Sequence, residues 1–108
     1  DLISLKSLNF EEIDPKRFPC LEISITAAKQ GGGAPAVLNG ANETLVDSFL
    51  EEEINFLDIS KNLHAVMQQF YKTISLTEVP SFLKLISTIE DAVKADQWGR
   101  EQALRCMS

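Results

Sequence analysis

Between Ile59 and Ile74 the side chains Ile59, Leu63, Val66, Met67, Phe70 and Ile74 follow one another at helical intervals, with mostly polar residues in the gaps. A helix turns once every 3.6 residues and gathers such a set onto one face, whereas a strand would scatter it over both. The spacing therefore predicts an amphipathic helix over 59–74. A helix with one apolar face is stable only when other elements cover that face. The rest of the chain must supply them.

Three neighbouring stretches read as the partners. From Pro35, at a first-turn position where its missing N–H costs nothing, Leu38, Ala41, Leu45, Val46, Phe49 and Leu50 form a stripe with Asn39, Glu43, Asp47 and Glu51 off it. Gly40 weakens the early part of this helix by roughly 1 kcal/mol relative to Ala, which points to Asn39 or Asn42 as its N-cap. Asn55 to Asp58 reads as a turn capped by Asp58. Val79-Pro80-Ser81 opens a last region in which Phe82, Leu85, Ile86, Ile89 and Val93 repeat the helical pattern, and Asp96 is expected to cap a final helix through Trp98 and Leu104.

Residues 19–30 fit two templates. Leu21, Ile23 and Ile25 alternate as in a strand, while Leu21, Ile25 and Ala28 fall at helical spacing; Pro19 at one end and the glycines at the other favour the helix. Residues 1–18, with Leu5, Leu8, Phe10 and Ile13 broken by charges and by Asp14-Pro15, read as an extended linker with room for a short strand near 5–10. The expected fold class is all-α, a four-helix-bundle-like domain over 19–108 preceded by that linker.

At 108 residues and 44% hydrophobic content the chain holds enough apolar side chains for one packed domain. Its formal net charge of -6 argues against nucleic acid or an anionic membrane surface as partner, since both need clustered Lys and Arg. No apolar run approaches the ~20 residues of a membrane span, and the first residues do not read as a signal peptide. The missing initiator Met is what a piece of a longer protein would show. Cys20 and Cys106, far apart in sequence, read as free thiols rather than as a disulfide.

The chemically suggestive residues reduce to plain readings. Gly31 to Ala36 fits G-x-G-x-x-A, the dinucleotide fingerprint, and Glu51 to Glu53 sit about twenty residues on, where an acid would hold a ribose. Yet a helix rather than a strand precedes the glycines, Pro35 removes an N–H that a pyrophosphate would need, and no Gly-Lys-Ser/Thr follows. The loop is expected to be a turn between helices. Glu51-Glu52-Glu53 point in different directions around a helix end and make a solvated acidic face rather than a cation site. His64, the one histidine, groups with Ser60 and Gln68 on a polar face without a nucleophile at local spacing. Trp98 and Met67 sit on apolar stripes. Asn39, Asn42 and Glu43 gather early in an otherwise apolar helix, as capping groups and links to a neighbouring segment in preference to ligand contacts. No residue is assigned a catalytic, cofactor-binding or metal role.

Four stretches in order, Ser7-Leu8-Asn9-Phe10, then Arg17-Phe18-Pro19-Cys20-Leu21, then Ala34-Pro35-Ala36-Val37-Leu38-Asn39-Gly40-Ala41-Asn42-Glu43, then Phe56-Leu57-Asp58-Ile59, resemble the C-terminal part of the 1-deoxy-D-xylulose 5-phosphate reductoisomerase family. That family shows Ser-Leu-Thr-Phe, Arg-Phe-Pro-Cys-Leu, Ala-Pro-Ala-Val-Leu-Asn-Ala-Ala-Asn-Glu and Phe-Leu-Asp-Ile. Ala95-Asp96-Gln97-Trp98-Gly99-Arg100 is similar to its closing Ala-Asp-Ala-Trp-Ala-Arg. Gly33 stands for the usual Thr, and Gly40 and Gly99 for Ala, changes expected to weaken local helix or capping only; residues 70–90 depart further.

The resemblance implies a parent enzyme that rearranges 1-deoxy-D-xylulose 5-phosphate and reduces it with NADPH to 2-C-methyl-D-erythritol 4-phosphate, an isoprenoid precursor, using Mg²⁺ or Mn²⁺. It implies a dinucleotide-binding domain and a catalytic domain upstream as partners, a homodimer, and a bacterial cytoplasm or a plastid-type organelle. On this reading the helices brace the catalytic domain and hold neither cofactor nor metal. The competing reading is a stand-alone acidic helical interaction module, which would present a uniformly polar surface.

Overall fold

The computed structural model describes residues 19–76 and 78–107. Helix α1 spans Pro19–Gln30, α2 Ala34–Leu50, α3 Phe56–Ile74, α4 Ser81–Lys84 and α5 Ile89–Met107. Four long helices and one single turn make an all-α domain with no strand among the described residues, in agreement with the expected class. The linker and short strand expected before Pro19 lie outside the described residues.

The ambiguous stretch 19–30 is helical. Glu22 in its first turn and Lys29 in its last complement the helix dipole, and the hydroxyls of Ser24 and Thr26 donate to the carbonyls of Cys20 and Glu22 one turn back. The helix stops at Gly31, whose N–H donates to the Ala27 carbonyl. Gly31 and Gly32 both have positive φ, of 69° and 56°, which only glycine adopts without cost.

Helix α3 buries Ile59, Leu63, Val66, Met67 and Phe70, the face its periodicity requires. Its N-cap is Asn55, not Asp58; Asp58 is the third helical residue, and its carboxylate accepts from the Asn55 N–H at 3.0 Å. Phe70 is fully buried and meets Trp98 of α5 edge to face at 6.1 Å. Burial of this order contributes ~1.5–3 kcal/mol per large side chain.

In α2 the buried residues are Ala34, Val37, Gly40, Ala41, Leu45 and Ser48, so the stripe is turned by one position from the expected one. Leu38, Val46 and Phe49 flank it half-buried, and Leu50 is exposed. The helix begins with Gly33 at the N-cap, ahead of Asn39 and Asn42. Its partner α5 buries only small residues, Ala95, Gly99 and Ala103. The two helices approach until backbone meets backbone: a Cβ on Gly40 would run into the Asp96 carbonyl, and one on Gly99 into that of Val37. The glycines that sequence alone casts as weak points are what this approach requires.

The last region divides where one helical run was expected. After α4 the chain is extended at Leu85 (φ -143°, ψ 128°), and α5 starts afresh at Ile89. The restart has a local cause: the Asp91 carboxylate accepts from the N–H groups of Ser87 and Thr88 at 3.0 and 3.2 Å, and the Thr88 hydroxyl accepts from the Asp91 N–H at 3.0 Å. This reciprocal cap satisfies donors that a continuous helix would have used internally. Asp96 consequently sits within α5 and caps nothing. Leu83 is buried, while Leu85, Ile89 and Val93 face outward.

Candidate functional site

The polar residues early in α2 meet a set on α5 to form a connected polar arrangement. Asn39 Nδ2 donates to Asp96 Oδ2 at 3.2 Å and lies 3.5 Å from Glu43 Oε1, one turn along its own helix. Arg100 Nε donates to Asp96 Oδ1 at 2.6 Å, and Arg100 Nη2 donates to Glu43 Oε2. The i, i+4 spacing of Asn39 with Glu43 and of Asp96 with Arg100 puts each pair on one helix face; the glycine crossing beneath brings the faces together. The Arg100 guanidinium is held further above its ordinary range, first by the hydrogen bond to Asp96 and then by that to Glu43. Every charge in the group has an opposite partner, which makes a clasp between the two helices. Asn42 and Asn39 share with Ser24 and Cys20 the wall of a cleft of about 350 Å³.

The glycine loop is closed to a pyrophosphate. Gly33 N–H, the donor that would greet an anion at the start of α2, is given to the Leu83 carbonyl at 3.0 Å, and Ala34 N–H to the Gly31 carbonyl at 3.1 Å. A Cβ at Gly33 would lie 2.7 Å from the Leu83 carbonyl, so α4 occupies the space a phosphate needs. These residues do not fit NADPH.

His64 is exposed and shares with Ser60 and Gln68 the wall of a cleft of about 450 Å³ between α1 and α3, floored by Ile23, Met67 and Tyr71. The Ser60 hydroxyl donates to the Leu57 carbonyl at 3.2 Å, so the histidine does not activate it. Glu51, Glu52 and Glu53 are exposed at the end of α2. Among the described residues no group of three or more His, Cys, Asp or Glu side chains is placed to share a cation. Cys20 and Cys106 are free and half-buried, and burial pushes both thiols up.

Asn39 and Glu43 were legible as links to a neighbouring segment, and Asp96 and Arg100 as their receivers were not. The i, i+4 pairing of Asp96 with Arg100 was the available signal.

Residues 1–102 match the family described as the DXP reductoisomerase C-terminal domain. The 1-deoxy-D-xylulose 5-phosphate reductoisomerase of Microcystis aeruginosa is 38% identical over 107 residues, covering 99% of this chain and 25% of that protein. The protein of that name from Chlorobium phaeobacteroides is 39% identical over 105 residues, 95% of this chain and 24% of its own length. A solved structure of the Zymomonas mobilis reductoisomerase in complex with NADPH superposes with a TM-score of 0.74 at 34% identity, over 100% of this chain and 26% of that one. The chain thus spans about a quarter of the length of the curated relatives it matches. By fold and by sequence across nearly its whole length, this chain belongs to the DXP reductoisomerase C-terminal domain family.

Proposed function

We propose that this chain is the C-terminal helical domain of a longer reductoisomerase, which rearranges 1-deoxy-D-xylulose 5-phosphate and reduces it with NADPH to 2-C-methyl-D-erythritol 4-phosphate. The observation that carries this reading is the match over residues 1–102 to a domain family named for that enzyme. Within the enzyme the domain's work is mechanical. Its helices are locked by the Arg100 clasp and the glycine crossing, and exposed apolar side chains, Leu50, Phe56 and Leu57 among them, offer a face on which a catalytic domain can rest.

On this reading NADPH and a divalent cation, Mg²⁺ or Mn²⁺, are held by preceding domains, where the cation would polarise the substrate's oxygens. The filled glycine loop supports that division of labour. The full-length protein acts as a homodimer in the bacterial cytoplasm or in a plastid-type organelle. Residues 1–18 serve as the linker that delivers the chain from the catalytic domain to the bundle. The competing reading, an independent acidic interaction module, expects a uniformly polar surface, which those exposed apolar side chains do not provide.

The test is turnover. The full-length polypeptide should consume NADPH when given the sugar phosphate and Mg²⁺, while the 108-residue chain alone should neither do so nor take up NADPH in a calorimetric titration. Sugar-phosphate turnover by the short chain, or none by the long one, would overturn the reading.

A further inference from the structure

The corner between α2 and α3 combines two features that seldom share a free surface. Leu50 closes α2 at 70% exposure, and Phe56 and Leu57 open α3 at 69% and 78%. They are presented rigidly: Phe56 meets Phe49 edge to face at 5.7 Å, and the Asn55–Asp58 cap fixes the start of the helix. A pre-ordered apolar cluster loses little freedom when it is covered. Around it stand Asp47, Glu51, Glu52 and Glu53, all exposed, at the negative end of the α2 dipole and with no basic residue in the last turn. Among the described residues the ion pairs are Glu90 with Lys94 and Arg100 with Glu43 and Asp96, and none of these four acids pairs with a described cation.

We propose that this corner is the docking surface of the domain, and that its occupant is an apolar face edged with lysine or arginine on the preceding part of the longer polypeptide. The proposal rests on the functional reading above, in which about three quarters of the protein precedes this chain. The acids choose the partner's chemistry. A second copy of the chain meeting this corner with its own would set acid against acid, which charge forbids. The other exposed run, Leu85, Ile89 and Val93, carries no such preference, because the neighbouring Glu90 and Lys94 already pair at 3.5 Å.

The experiment compares maleimide labelling of the variants Leu57→Cys and Leu85→Cys in the full-length protein, with the labelled peptide located by mass spectrometry. The expected result is labelling about tenfold slower in Leu57→Cys than in Leu85→Cys. Adding Glu51→Lys and Glu53→Lys should abolish that protection and leave Leu85→Cys unchanged. Equal rates in the two single variants overturn the proposal. Protection that survives the charge reversal overturns the basic edge, and protection that grows with protein concentration gives the corner to a second copy and overturns it likewise. A protected corner in a protein without reductoisomerase turnover would sink the functional reading and leave the docking surface standing.

Discussion

Arg100 of α5 donates through Nε to Asp96, one turn back on its own helix, at 2.6 Å, and through Nη2 to Glu43 on α2. One guanidinium therefore sets the register of two helices whose backbones touch. Its side chain is one-third exposed and Glu43 about half, so water screens part of the attraction. Replacing Arg100 with Met keeps the stem and leaves two carboxylates facing each other without a cation. The expected loss is about 1–2 kcal/mol in urea unfolding, with Arg100→Lys recovering part of it, since an ammonium restores the charge but not the fork.

At Gly40 and Gly99, alanine is the better helix former by about 1 kcal/mol, and propensity alone forecasts stabilisation. The structure reverses the sign. Each added methyl would enter space held by a backbone carbonyl of the opposite helix, which cannot swing aside as a side chain can. Gly40→Ala and Gly99→Ala should each destabilise by about 1–3 kcal/mol, read as a fall in thermal midpoint. An unchanged or raised midpoint in both would show that the helices can move apart freely.

These two interfaces mark how far the sequence could be read. Helix α3 was plain because Leu63, Met67 and Phe70 are large, and large side chains carry a clear hydrophobic period. The α2–α5 crossing is made by Gly40 against Asp96 and Gly99 against Val37, and small residues there contribute closeness rather than hydrophobicity, so periodicity pointed one position aside. The break at Leu85 was hidden for a related reason: Ile89 and Val93 have helical spacing with Phe82 and Ile86 but face outward, and the Thr88–Asp91 cap was the signal that mattered. The clasp was half legible. Asn39 and Glu43 announced themselves by spacing, but Asn39 meets Asp96 at a separation of 57 residues, beyond the reach of local pattern.

Glu52 follows the end of α2 with φ 61°, in the left-handed region that costs a residue with a Cβ about 1 kcal/mol or more. The turn needs that conformation, because it lets Glu52 N–H reach the Phe49 carbonyl at 3.0 Å and Glu53 N–H the Ser48 carbonyl at 2.9 Å. Glycine adopts it without strain, and the substitution also removes one of several adjacent negative charges at the negative end of a helix. Glu52→Gly should therefore stabilise the chain by about 0.5–1 kcal/mol. A destabilised variant in chemical denaturation would count against the turn geometry.

Burial raises the thiols of Cys20 and Cys106 above their ordinary value of 9.0. The unfolded chain then releases these protons at a lower pH than the folded one, so the folded state binds more protons in the interval and stability falls as pH rises through it. The contribution is complete below about pH 8 and is lost as pH climbs from about 9 towards the folded values. Unfolding midpoints should decline over this range, and the double variant Cys20→Ala with Cys106→Ala should flatten the slope while lowering the plateau through lost packing. An unchanged slope in the double variant would assign the decline to other groups.

Tyr71 carries its ring against Phe70, 5.5 Å between centroids at 73°, and its hydroxyl is buried without a hydrogen-bond partner among the described residues. A hydroxyl stripped of water and left unpaired costs about 1–3 kcal/mol, whereas its removal with the ring kept in place costs little packing. The same burial raises the Tyr71 pKa above its ordinary 10.0, consistent with a dry setting that penalises the phenolate. Tyr71→Phe should accordingly leave the fold intact and stabilise it by about 0.5–1 kcal/mol, with the decline in stability above about pH 10 reduced at the same time. Matched urea curves at neutral and at alkaline pH separate the two effects, because lost hydroxyl desolvation appears in both and phenol ionisation only in the second. A variant that loses stability at neutral pH would show that the hydroxyl is satisfied in the folded chain.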